Sequence, residues 1–342
     1  MSDRPQTQGS QWGFATTSVV LGLGLAAGIC EAMARMQALP RVQHVDLGAT
    51  GGTLVDGVPV WGRSARSDDR RGEPCEGRPE VLLLGSSIFY GSGVDTPDAL
   101  TPALQARLPD WCVRNLAQPA YTYSNQAAEL TQHLATEDPP PRVVVWEIWA
   151  NSPNDWLVLG DQAYNFSSLA GVPPTLPNPL RLSEGLHQQL FSWLATYRHV
   201  VVRRAEKSSS PTYPERLARL GHERLSPTVD ALSAKGARVV LALMPGLDAP
   251  FATTARDPGF RYEALLQTVE GRVSLVPVAE RFEQRELDHL KVRVDPCCHY
   301  NPDGLDALAE VLAEAIDKPG PDSRSPDPPA QPAEGSDGSD GP

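Results

Sequence analysis

Five short apolar runs do most to limit what this 342-residue chain can fold into. They are Val81–Leu84, Val113–Leu116, Val143–Ile148, Val239–Leu243 and Val273–Val276. Each is too short for a packed helix, and most show little of the apolar–polar alternation of a half-exposed strand. Such Val- and Leu-rich runs are expected where both faces of a sheet are covered. Between them lie helical patterns at 99–108, 125–134, 225–234, 262–270 and 304–316. In the last of these, Leu305, Leu308, Leu312, Ala315 and Ile316 recur at helical spacing. Strand then helix, repeated, predicts an α/β fold: a flavodoxin-like parallel sheet sandwiched by helices. A proline-rich stretch, "GVPPTLPNPLRL", breaks the rhythm between 156 and 226, which reads as an insertion over one end of the sheet. Within it, Leu186–Val202 has the pattern of a helix.

Open parallel sheets bind ligands beyond the carboxyl ends of their strands. Chemistry is therefore expected in the residues just after each run. Those stretches are "GSS", "AQPAYTYSNQ", "WANSPND" and "MPG", with "VDPCCHYNPDG" ahead of the closing helix. Together they hold a hydroxyl, small residues with free backbone N–H groups, amide side chains and an Asp/His pair. These are the components of acyl transfer through a serine, which needs a base, an orienting carboxylate and donors for the oxyanion. Ser87 taken alone reads as a helix cap, the commoner role of such a serine. Paired with His299 it reads as a nucleophile. Trp146, Trp149 and Trp156, near the third strand, read as packing rather than as a pocket wall.

The same residues carry a family likeness. "VLLLGSSIFYGSGV" resembles the first block of the SGNH, or GDSL, hydrolase superfamily, in which a buried strand ends on Gly-Asp-Ser. "DPCCHYNPDGLDALAEVL" resembles its last block, where Asp and His precede an Asn-Pro-x-Gly turn and a closing helix. "VRNLAQPAYTYSNQ" and "VVVWEIWANSPND" are similar to the second and third blocks. The likeness runs from about Glu80 to Ile316, with the insertion unmatched. It implies Ser87 as nucleophile, His299 as general base and Asp295 as its orienter. It implies an oxyanion hole made by the Ser87 and Ala120 N–H groups and by Asn151, with Asn154 as the alternative. It implies no metal and no organic cofactor. The substrate class it implies is an ester: an O-acylated glycan, a lipid or a small ester. Two other outcomes stay open: an O-acyltransferase using the same serine on a glycan, and a binding protein with a decayed site. Three departures bear on them. Ser86 stands where the family has Asp. Ala120 stands where it usually has Gly. Asp295 lies four residues before His299 rather than three.

The ends of the chain have other characters. Residues 12–30, "WGFATTSVVLGLGLAAGIC", carry no charge, and as a helix they span about 28 Å, close to a bilayer core. A membrane anchor over 12–34, a cleaved secretory signal and a buried helix all fit. The polar 1–11 flank disfavours the buried helix, and the single Arg4 ahead of the segment favours an anchor over a signal. Residues 35–79 read as an irregular lead-in to the 80–317 domain. Residues 318–342 read as a disordered tail, and from 319 onward five acids against one Arg supply −4 of the net −12. No Lys/Arg-rich run exists to make a nucleic-acid surface. Of the five cysteines, Cys75 and Cys112 flank adjacent strand candidates at one sheet edge, where they are either a disulfide or two free thiols. Cys297 and Cys298 have no zinc-like spacing. An anchor and a disulfide together place the domain in the periplasm or outside the cell, secreted if the segment is cleaved.

Overall fold

All five apolar runs become strands of one sheet. A computed structural model of the chain describes residues 42–61, 70–136, 139–149, 156–159, 162–166, 178–198, 200–201, 213–244, 263–283 and 299–318, with Gly28 and Glu31. In chain order the strands are β1 Val42–Asp46, β2 Thr53–Val55, β3 Val58–Val60, β4 Glu80–Leu84, β5 Cys112–Asn115, β6 Val143–Ile148, β7 Trp156–Leu159, β8 Gln162–Phe166, β9 Arg238–Leu243 and β10 Ser274–Pro277. The main helices are α1 Ser87–Tyr90, α2 Leu100–Arg107, α3 Tyr123–Thr136, α4 Glu184–Trp193, α5 Tyr213–Leu220, α6 Ser226–Ala234 and α7 Pro302–Asp317.

The central sheet has the order β10-β9-β6-β4-β5, and every pairing in it is parallel. Its side chains divide by strand period. On one face Val81, Leu83, Val143, Val145, Val240 and Ala242 pack with residues of α2 and α7. On the other Leu82, Leu84, Val144, Trp146, Val239 and Leu241 pack with α3, α5 and α6. Both faces are dry, which is why the runs show so little alternation. β4 leads to β5 on one side and then, through α3, to β6 on the other. The crevice between β4 and β6 is therefore the point where the strand order reverses.

The outer edge of β5 is covered by the lead-in. Asn115 N donates to Arg71 O over 2.9 Å, and Val113 N donates to the Gln105 side chain over 2.9 Å. Gly72 lies so close to the strand that a Cβ on it would meet Val113 O at 2.2 Å. Cys75 and Cys112 form a disulfide with Cα atoms 5.2 Å apart, which resolves the sequence's two readings in favour of the bridge.

Two stretches are more ordered than their sequence implied. The lead-in, expected to be irregular, supplies the antiparallel β2–β3 pair and strand β1. The insertion supplies β7 and β8, which join β1 in a second antiparallel sheet of order β1-β8-β7. These strands have only three to five residues, and β1, β2 and β8 mix polar with apolar side chains, so little in the sequence marks them. The helix expected over 186–202 breaks at Leu194, whose backbone is extended. There the Glu31 carboxylate accepts from Ala195 N, at 2.8 Å, and Thr196 N, at 2.9 Å, and so caps the next turn.

Among the described residues, no helix is long and apolar enough to cross a membrane. The expected anchor, apart from Gly28 and Glu31, lies outside those residues. So do the acidic tail from 319 onward, Asn151, Asn154, Asp295, Cys297 and Cys298.

Candidate active site

Ser87 is the first residue of α1 and sits, half-buried, immediately beyond the end of β4. β4 is buried along its whole length, so the chain must turn sharply to leave the sheet. Ser86 makes that turn with φ −109° and ψ −148°. Its hydroxyl does not cap α1. It donates instead across the crevice to Glu147 Oε1.

Glu147 lies one step beyond the Leu84↔Trp146 register pair, in a strand of otherwise apolar residues. Its side chain is fully buried. Oε2 accepts from Ser86 N and from Phe89 N, each at 3.0 Å. The carboxyl's pKa is raised from 4.5 to about 6, chiefly by burial, with the hydrogen bonds from Ser86 and Phe89 opposing the rise. Gly85 has little room for a side chain, because a Cβ there would lie 2.5 Å from Oε2 and 2.8 Å from Phe89 Cβ.

The other walls of the turn are pinned from β5 and from the lead-in. Asn115, buried at the end of β5, donates from Nδ2 to Phe89 O at 2.8 Å and to Thr101 Oγ1 at 3.0 Å, and its Oδ1 accepts from Ala117 N at 2.8 Å. Arg70, also buried, donates to the carbonyls of Tyr90, Gly91 and Val94 at 2.6–2.9 Å. It thereby fixes the glycine-rich loop after α1.

Ala120 occupies a tight turn. Tyr121 N donates to Gln118 O at 3.1 Å, Pro119 takes the second position and Ala120 has φ +68°. Proline followed by a residue of positive φ is the type II pattern, which prefers glycine third. The turn is therefore preserved with alanine in a left-handed conformation, which costs about 1 kcal/mol. Such a turn leaves the Ala120 N–H outside its own hydrogen bond. The loop is anchored on both sides. Gln118 N donates to Gly85 O at 3.3 Å, and the Asn125 side chain accepts from Thr122 N at 2.8 Å. Beyond it the buried Tyr121 donates to Trp61 O at 2.7 Å, and Trp156 of β7 packs edge-on against Trp61 with centroids 4.7 Å apart.

His299 is half-buried and immediately precedes Tyr300. Tyr300 is buried in the same cluster as Ile88, Phe89 and Trp149. Burial, and then the Glu147 carboxylate, push its phenol well above the ordinary value. The chain carrying His299 thus arrives at the end of the sheet where Ser87 stands. The motif downstream has a local reason. Asn301 caps α7, its Oδ1 accepting from Gly304 N at 2.9 Å, with Pro302 in the first turn.

The sheet therefore gathers Ser87, the Ala120 turn and the His299–Tyr300 segment at the β4/β6 crevice. Asp295, Asn151 and Asn154 lie outside the described residues. Trp146 is wholly buried and donates from Nε1 to the Gln126 amide, Trp149 is buried in the core, and Trp156 packs on Trp61, so the first two face the core and not a cleft. Glu147, Asn115 and Arg70 had no role assigned from sequence. The signal for Glu147 was one acid inside "VVVWEIW", a charge no covered strand carries without partners.

No family model matches the chain, and no curated protein does. Among solved structures it is similar to "TesA", at 18% identity and a TM-score of 0.40, covering 70% of this chain and 98% of that one. It is also similar to a lipase/acylhydrolase from Enterococcus faecalis, at 12% identity and a TM-score of 0.43, covering 70% and 95%. A third is the esterase EstA from Pseudoalteromonas sp., at 14% identity and a TM-score of 0.41, covering 69% and 96%. Identities and TM-scores this low leave the reading of the site to its own residues.

Proposed function

We propose that the chain is an SGNH-type serine hydrolase that cleaves an ester through an acyl-enzyme on Ser87. The observation that carries this reading is the place of Ser87. It opens a helix directly beyond a buried strand, at the reversal point of the sheet, with its turn held by Glu147, Asn115 and Arg70. A serine needing only to cap a helix requires none of that.

In this reading Ser87 Oγ attacks the acyl carbon while His299 takes its proton. The carbonyl oxygen becomes an oxyanion, held by the N–H groups of Ser87 and Ala120 and by the amide of Asn151 or Asn154. The tetrahedral intermediate collapses, His299 protonates the departing alcohol oxygen, and the acyl group stays on Ser87. Water, deprotonated by His299, then releases the acid and restores the serine. Asp295 orients the imidazole. The acyl group belongs to a glycan, a lipid or a small ester. The Cys75–Cys112 bridge and the uncharged 12–30 segment support an anchored domain facing an oxidising compartment.

The test is labelling by a fluorophosphonate probe, wild type against Ser87→Ala and His299→Ala. Wild type labels and both variants lose the label. A wild type that stays unlabelled under conditions that label an active serine esterase refutes the enzyme reading, and the site is then that of a binding protein.

A further inference from the structure

We propose that Glu147 is a positioning residue for the nucleophile: from a neighbouring strand it supplies the carboxylate that shapes the Gly85–Ser87 turn and so aims Ser87. The inference rests on the reading of Ser87 as nucleophile.

The geometry is specific. Ser86 is the residue before α1, and Phe89 N is the amide that the side chain at such a position ordinarily takes. Here Phe89 N goes to Glu147 Oε2, as does Ser86 N, while the Ser86 hydroxyl meets Oε1. The turn is thus capped from across the crevice, by a carboxylate that reaches both the residue before Ser87 and the residue two after it. Ser87 is the one position between these anchors whose side chain is only half-buried, Ser86, Ile88 and Phe89 being buried.

Burying a carboxylate is costly, so a charge in this place calls for a use. The row it occupies on β6 is otherwise Val143 and Val145, continued just past the strand by Trp149, all in the apolar core. A valine in the same row fills a covered strand without cost. Among the described residues, the groups shown facing the carboxylate are these. The turn contributes two amides and the Ser86 hydroxyl, and the segment ahead of α7 contributes the Tyr300 phenol, next in sequence to His299. On β9 the register partner is Ala242. The carboxylate is one of the groups that leave no room for a side chain at Gly85, Phe89 Cβ being another.

Relocating the carboxylate tests the proposal. Asp at 86 stands where it can take Phe89 N itself, so Ser86→Asp with Glu147→Ser moves the charge from β6 to the turn. Four proteins are compared: wild type, Ser86→Asp, Glu147→Ser and the double variant, with Glu147→Gln as the near-isostere. The readouts are the fluorophosphonate labelling rate and the hydrolysis of p-nitrophenyl acetate, with far-UV circular dichroism as the check on folding. Glu147→Gln and Glu147→Ser lower the labelling rate and kcat on the order of 100-fold with KM nearly unchanged, as expected of a misplaced nucleophile. Ser86→Asp alone sets two carboxylates against each other and is also impaired. The double variant recovers to within about 10-fold of wild type, which a mere filler of the core cannot do. A folded Glu147→Gln protein that labels at the wild-type rate overturns the proposal. So does a folded double variant no faster than Glu147→Ser. If instead wild type does not label, the Ser87 reading fails first and this one with it.

Discussion

Removing the Cys75–Cys112 bridge has a cost set by chain length. The two cysteines are 37 positions apart, and the segment between them includes β4, α1 and α2. Closing a loop of that size restricts the unfolded chain by about 13 cal/mol/K, or about 4 kcal/mol at 25 °C. The folded state loses little else. The lead-in stays attached through Asn115 N to Arg71 O, through Thr101 Oγ1 to Arg70 O, and through the Arg70 guanidinium. The expected result for Cys75→Ser/Cys112→Ser is therefore a native-like protein less stable by about 4 kcal/mol, the effect acting on the unfolded ensemble. The assay is urea unfolding tracked by tryptophan fluorescence, on wild type with and without reductant and on the double variant. Reduced wild type and the variant should coincide, and both should show a larger m-value as the freed chain expands. A loss below about 1 kcal/mol, with an unchanged m-value, would falsify the loop argument. A wild type whose five cysteines all react with a thiol reagent in denaturant, before any reduction, would show that the bridge does not form.

The remaining expectations concern the site. Ala120→Gly removes a left-handed alanine at the cost of a freer unfolded backbone, so stability rises by between zero and about 1 kcal/mol while fluorophosphonate labelling persists; a clear destabilisation in thermal melts refutes the strain. Asn115→Ala leaves the Phe89 carbonyl and the Ala117 amide buried without this partner and destabilises by about 2–4 kcal/mol in urea, and a loss under about 1 kcal/mol means water or repacking replaces the amide. Glu147 makes stability pH-dependent. Its folded value, about 6, lies above the ordinary 4.5, so the folded chain holds the proton more tightly, and a contribution of about 2 kcal/mol present below pH 4.5 is lost as pH rises through 6. The stability difference between wild type and Glu147→Gln should therefore shrink by about that amount from pH 4 to pH 8. A flat difference, or one that grows, removes burial as the dominant influence on this carboxyl.

The parallel sheet was legible because its signal is chemical and local. Val143–Ile148 is a strand over the range its run marked, and the other four strands moved by a residue or so, because covered strands advertise themselves in apolar side chains. Strands β2 and β3 gave no such signal. Three residues apiece, they depend on pairing with each other and on burial of Val58, Val60 and Trp61 against Tyr121, partners separated from them by about sixty positions. The site divides along the same line. The place of Ser87 in the fold was legible because it comes directly after a run, and that of His299 because it precedes a cap motif. Glu147 was not assigned, although its charge was visible, because its partners at Ser86 and Phe89 are 61 and 58 residues away. The partner of Ser86 was hidden for the same reason: a serine before a helix ordinarily bonds locally, and here its hydroxyl goes to a distant buried carboxylate.

The covered edge of β5 fixes how this molecule can meet its own kind. An arriving strand recruits a sheet by offering acceptors to vacant amides, and at this rim the amides of Val113 and Asn115 are already engaged by Gln105 and Arg71. Ribbon growth from that side requires the lead-in to peel away first. The opposite rim, β10, has Leu275 half in solvent and Pro277 as its last residue, whose missing amide limits how far a visitor can zip along it. Aggregation by strand addition, where it occurs, starts at one flank of the sheet and comes after loss of the bridge at the other.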